Sequence, residues 1–250
     1  MSLEACRSLV ERADPERFSA AQLGTEAAQK VLWPLYAMNV EVSRAPWVTQ
    51  EPMIAEMRLQ WWRDALEEIA EGKPVRGHEV TTALAASIGA GEALQLDRLV
   101  QARRWDIYND AFDDEAALLG YLDDTAGGLM WAGASALGAP VDVRGEVVAF
   151  ARAVGLSRFL KAAPELEARG RRPLVDGRPK AIAALCIRIL AEMPKQSALK
   201  RRLGRDAASV LTEGWQARAL LKQAISNPTR VADGTLGLSE FGKRWRLLFS

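Results

Sequence analysis

The chain has 250 residues, with 33 lysines and arginines against 32 aspartates and glutamates, for a net charge of +1. Its single histidine, His78, excludes His-rich zinc sites and leaves any Ser-His-Asp or Cys-His nucleophilic site dependent on that one residue. Cys6 and Cys186 alone make neither a disulfide framework nor a metal-type cysteine pair. The near-neutral sum hides an asymmetry: residues 1–125 carry 12 basic and 22 acidic side chains, and residues 126–250 carry 21 and 10. Such a split marks an acidic or basic partner surface, or two halves that pair with each other.

Helical periodicity dominates and no alternating strand stands out. The opening MSLEACRSLVERAD lacks the basic and apolar regions of a secretory signal. Asp14-Pro15 opens a short helix that Gly24 breaks. A long helix is expected over 25–43, kinked at Pro34, with Val31, Leu35, Met38 and Val42 on one stripe. The next runs from Glu51-Pro52 to Gly72, and GKPVRGHE is a loop in which His78 reads as a capping or surface residue. In MRLQWWRDAL, Trp61 and Trp62 point about 100° apart, so one core stripe cannot hold both rings. They suit a wide core face or a pocket wall. Further helices are expected over 79–89, 92–112, 115–138, 143–163, 180–193, 197–226 and 238–248, with 164–179 irregular. The small residues from Ala126 to Ala134 allow either close helix packing or room for a ligand. Cys186 reads as a core residue. The uncharged run Thr125–Val141 is too short and too glycine-rich to span a bilayer. Two basic runs, KRRLGR at 200–205 and KRWRLLF at 243–249, are solvated faces or could meet phosphates or an anionic membrane; the second, with Trp245, Leu247, Leu248 and Phe249, is the better suited. No phosphate loop or GxGxxG turn is present.

The order of five segments resembles the squalene/phytoene synthase family: LYAMN at 35–39, LQWWRDALEEIAEGKP at 59–74, RRWD at 103–106, YLDDTAGGLM at 121–130 and AVGLSRFL at 153–160. The resemblance implies an all-α isoprenoid-synthase-like helical bundle in one domain, 1–250, with a central apolar cavity. It also implies head-to-head joining of prenyl diphosphates around Mg²⁺ held by two aspartate-rich motifs on facing helices. By that likeness the leading aspartates of the first motif fall at Ser43 and Arg44, its last at Trp47 and its arginine at Val40. The second motif falls near Phe159, Ala162 and Leu166, with Arg158 and Lys161 where a cation would be repelled. Glu165 or Glu167 would enter only with a slipped register, and Pro164 should disturb the helix presenting them.

The expected reading is therefore a non-catalytic member without a cofactor, similar to the branch that includes respiratory complex I assembly factors. Its lipid pocket would be lined by Tyr36, Arg58, Trp62, Tyr121, Gly127, Arg158 and Lys161. It would be cytoplasmic, possess no metal site and take no nucleic acid. Its basic C-terminal half would meet a membrane surface or a membrane protein complex, and an isoprenoid or other lipid would be its ligand. Two alternatives stay open. One is a working prenyl transferase whose Mg²⁺ site uses Glu41, Asp106, Asp123 and Asp124; the other is a cytoplasmic isoprenoid carrier that uses the cavity alone.

Overall fold

The structure, a computed structural model, describes residues 3–248, with the side chains of residues 244 and 248 outside the description. All regular structure among the described residues is helical. Helix α1 (Leu3–Ala13) buries Cys6, Leu9 and Val10, an i, i+3, i+4 stripe, against α3. No helix is expected there from the sequence above, and the structure adds this one. Asp14 then caps α2 (Pro15–Gln22), accepting the Arg17 N–H at 3.0 Å. Thr25 caps α3 (Glu26–Arg44) and also donates its hydroxyl to Asp206, 2.6 Å away. From Val31 to Val42 every residue of α3 except Glu41 is buried. A helix apolar on nearly all sides must lie inside the bundle, and α3 is packed by α1, α2, α5 and α8.

Helix α4 (Pro52–Ala70) lies outside α3 and packs chiefly on α6 (Ala90–Ala102). Between them α5 (Glu79–Ala85) starts at His78, whose Nδ1 accepts the Val80 N–H at 3.2 Å, the capping role expected of it. The helix expected over 92–112 ends at Ala102, in a 3₁₀ turn at Arg103–Asp106 that buries Asp106. The helix expected over 115–138 is present as α7 (Glu115–Leu122) and α8 (Gly128–Ala136), joined by a π turn at Asp123–Gly127. Within that turn the Thr125 hydroxyl donates to the Tyr121 carbonyl four residues back, at 2.6 Å.

Helix α9 (Arg144–Ala168) continues through Pro164, against expectation. Leu166 packs on the core beyond the proline, and the amides of Arg169, Gly170 and Arg171 return to carbonyls of the last turn, with Gly170 at φ +81°. Helix α10 (Pro179–Glu192) buries Cys186, as expected of a core residue. The helix expected over 197–226 is interrupted. Helix α11 (Gln196–Leu203) stops at Gly204, where φ is +76°, and a 3₁₀ segment Ala207–Gly214 dives into the core before α12 (Ala217–Ser226) resumes. That break carries Glu213 into the interior. The short α13 (Thr229–Ala232) and α14 (Glu240–Leu248) follow. Phe241 and Trp245 on α14 stack at 6.3 Å and are exposed; Phe249 lies outside the described residues. No described helix is long and apolar enough to cross a membrane.

Candidate functional site

Two clefts contain seven of the eleven site residues singled out in the sequence: Asp106, Tyr121, Arg158 and Lys161 in one, and Glu41, Arg58 and Trp62 in the other. The larger, about 550 Å³, lies at the centre of the bundle between α2, α3, α7, the π turn and α9. One part of its wall is apolar, from Val40, Leu122, Val154, Phe159 and Leu166. The other is charged, from Asp14, Glu16, Arg17, Arg44, Arg103, Asp106, Arg158, Lys161, Glu165 and Glu213. Ser43, Arg44 and Trp47 therefore share one cavity with Arg158, Phe159, Ala162 and Leu166. The two stretches that the resemblance paired do face one space.

Most of the charges in this cavity have partners within the protein. Glu213, with a side chain only 3% exposed, accepts from Arg17 at 2.8 Å and from Arg158 at 2.9 Å. Arg17 also reaches Asp14 at 2.8 Å and lies over the Tyr36 ring. Lys161 holds Glu16 at 2.7 Å. Burial alone would raise the Asp14 and Glu16 carboxyls; for Asp14 the guanidiniums of Arg17 and Arg158 outweigh it, and for Glu16 the hydrogen bonds from Lys161 and Gln216 do, so both sit below their usual range. Burial works against the Arg17 charge too, but Glu213 and Asp14 overcome it and its pKa rises. Burial, followed by the neighbouring Glu213, pushes the Tyr36 phenol well above its ordinary value.

A second cluster flanks the first. Asp106 accepts from the Tyr121 hydroxyl at 3.0 Å and from Arg103 at 3.0 Å, and Arg103 also reaches the Tyr121 oxygen at 2.7 Å. Burial raises the Tyr121 phenol. Arg171 donates to the carbonyls of Trp105 (3.1 Å) and Asp106. Trp47, at the cavity wall, lies beneath both Arg169 (4.6 Å) and Arg171 (5.0 Å). These contacts tie the segment after α3 to the segment after α9 across the cavity. Three buried atoms around it lack a partner among the described residues: Glu213 Oε2, Arg103 Nε and Trp105 Nε1.

The other predicted residues lie elsewhere. Tyr36 is buried behind the Arg17–Glu213 pair and is not part of the cavity lining. Gly127 is a packing residue: a Cβ there would stand 3.2 Å from Val148, and one at Gly155 would stand 2.7 Å from the Ala126 Cβ. Arg58 and Trp62 line a separate cleft of about 400 Å³ with Glu41, Ile54, Met57, Trp61 and His78. They were expected in the central pocket because α4 was read as part of its wall, whereas α3 stands between. The four acids of the alternative metal site are not brought together. Glu41 is in the α4 cleft and Asp106 is in the central cavity. Asp123 is held by Arg152 through two 2.7 Å contacts, and Asp124 is raised by burial, against the pull of Arg98.

Arg17, Arg103 and Glu213 were missed in the sequence. Glu213 did leave a trace, as a lone acid in the otherwise uncharged run AASVLTEGWQA at 207–217. A charge isolated in an apolar run is either exposed or matched to a buried counter-ion.

An all-helical bundle around a central cavity whose walls are α3 and α9 is the architecture of the isoprenoid synthases. The structure superposes on a dehydrosqualene synthase with a TM-score of 0.79, covering 99% of this chain and 94% of that one at 15% identity, so the fold is shared. A model of the squalene/phytoene synthase family matches residues 10–175, and the chain belongs to that family. It is also 35% identical over 105 residues to a Drosophila melanogaster homolog of NADH dehydrogenase (ubiquinone) complex I assembly factor 6. That match spans 39% of this chain and 31% of the relative's length.

The residues present do not fit the Mg²⁺ that the family implies. Mg²⁺ needs near-octahedral oxygen donors at about 2.0–2.1 Å. The facing positions offer Ser43, Arg44, Trp47, Arg158, Phe159 and Ala162, and the nearby acids Asp14, Glu16 and Glu213 are engaged by Arg17, Lys161 and Arg158. No group of three or more His, Cys, Asp or Glu side chains among the described residues is placed to hold one ion.

Proposed function

We propose that this protein is a non-catalytic member of the squalene/phytoene synthase family that works by binding a lipid or a protein partner, as a counterpart of the complex I assembly factors. The observation that carries the reading is the charge arrangement on the facing walls. Where a diphosphate–metal cluster would need carboxylates, Arg158 and Lys161 project and are already neutralised by Glu213 and Glu16. Ionising a prenyl diphosphate needs concentrated positive charge on the leaving group. Cations saturated by internal carboxylates supply little of it. The apolar wall and the partnerless Arg103 Nε support a retained capacity to hold an amphipathic ligand. The partial likeness to the assembly factor supports work beside a membrane complex. The basic C-terminal half and the exposed Phe241–Trp245 pair on α14 support contact with its surface.

The test is turnover of labelled farnesyl and geranylgeranyl diphosphate by purified protein, with Mg²⁺ or Mn²⁺, with and without NADPH. The expected outcome is no diphosphate release above the rate without protein. Release that depends on metal would overturn the proposal. Equilibrium dialysis of the same substrates then separates a retained ligand cavity from a partner-binding body.

A further inference from the structure

The cleft on α4 is unlike the central cavity, and it holds Arg58 and Trp62, which the family resemblance placed in that cavity. Its back is an aromatic corner: Trp61 and Trp62 meet edge to face at 5.1 Å, and His78 meets each of them at 5.6 Å. Its outer rim is apolar and open to solvent, with Ile54 41% and Met57 66% exposed. Two donors serve it. His78 accepts the Val80 N–H on Nδ1, so in the neutral ring the proton sits on Nε2, which has no partner among the described residues. Arg58 is exposed and makes no ion pair among them either. Nearby arginines are different: Arg63 is held by Asp97 at 2.7 Å and Arg76 by Glu68 at 2.8 Å. Glu41, also in the lining, sits at the limit of ion-pair distance, 4.0 Å, from Arg44.

We propose that this cleft is a binding site for a monoanionic amphiphile, an alkyl or aryl carboxylate. Its carboxylate lies on the Arg58 guanidinium within reach of His78 Nε2–H, and its apolar body fills the Trp61–Trp62 corner under Met57. One guanidinium fork matches one carboxylate. Glu41 in the same wall opposes every added negative charge, so a single carboxylate is tolerated better than a phosphate or diphosphate. The volume of about 400 Å³ falls among small-molecule sites. A flexible thioether at the rim adapts to an aliphatic chain, and exposed apolar side chains beside an unpaired charge mark a surface that something covers. The proposal is independent of the central cavity.

The test titrates the full chain with decanoate and with decanol, following heat and the indole N–H resonances in ¹H–¹⁵N spectra. Decanoate should bind saturably and shift the Trp61 and Trp62 indoles. Arg58→Gln, a surface change that leaves the core intact, should weaken decanoate about tenfold or more while changing decanol less than about twofold. Trp61→Phe should weaken both. Arg158→Gln, in the central cavity, should leave decanoate binding unaltered. The proposal is overturned if Arg58→Gln retains decanoate affinity, if decanol binds as tightly as decanoate, if Arg158→Gln abolishes binding, or if no saturable binding occurs.

Discussion

The central cavity and the α4 cleft are of similar size, about 550 and 400 Å³, yet they treat charge in opposite ways. In the first, Arg17, Arg158 and Lys161 are neutralised by Asp14, Glu213 and Glu16. In the second, Arg58 makes no ion pair among the described residues, although Glu41 shares the wall, and the rim is apolar. An internal pair contributes to cohesion and takes its members out of use for a ligand. An unpaired cation contributes little to cohesion and keeps its full attraction for an incoming anion. The charged end of the central cavity is thus held together by its own ion pairs, whereas the α4 cleft presents its cation to solvent.

The largest test of that contrast is Glu213→Ala. Removing the shared acid leaves Arg17, whose side chain is 11% exposed, with Asp14 alone and takes the partner from Arg158, and should cost about 3 kcal/mol in urea unfolding. A cost below about 1 kcal/mol would show that the cluster is not structural. Gly155→Val comes next. It drives a side chain into Ala126 and should cost about 1–3 kcal/mol by the same measurement, with no change at the α4 cleft. A pH series sharpens the comparison further. Asp14 and Glu16 have folded pKa values below their ordinary 3.8 and 4.5, so their stabilisation is complete above those values and is lost as pH falls through the folded ones. The melting temperature should decline below about pH 4.5, and Glu16→Gln should make that decline shallower. The smallest effect belongs to Arg58→Gln, which should shift stability by less than about 0.5 kcal/mol. A larger loss would mean that Arg58 is a structural residue after all.

The helices with strong stripes and clear caps were legible in the sequence. Thr25, Pro52 and His78 start α3, α4 and α5 as their residue types demand. So was the juxtaposition of residues 43–47 with 158–166, because five motifs in order constrain a known bundle. What escaped was set by tertiary contact. Pro164 was expected to disrupt α9, but the capped last turn and Leu166 hold it. The break at Gly204 lies in a run whose helical pattern is otherwise continuous, and the chain turns inward there to bury Ala207, Val210 and Leu211 and to bring Glu213 to its arginines. Arg58 and Trp62 sat on the expected helix, yet which neighbouring wall they face depends on how α4 crosses α3. Periodicity along one helix does not encode that crossing.

The π turn at Asp123–Gly127 has a consequence for how this segment tolerates changes in length. An i→i+5 turn takes up one residue more than an α turn, so deleting one of its residues would let α7 and α8 fuse into a regular helix with the two flanks kept nearly in phase. Gly133 would then stay close to its seat against Leu32, Leu35 and Val210. The same deletion in the regular part of α8, before Gly133, would turn everything beyond it by about 100° and draw it back about 1.5 Å. Between Tyr121 and Gly133 the π turn is therefore the place that best absorbs the loss of a residue.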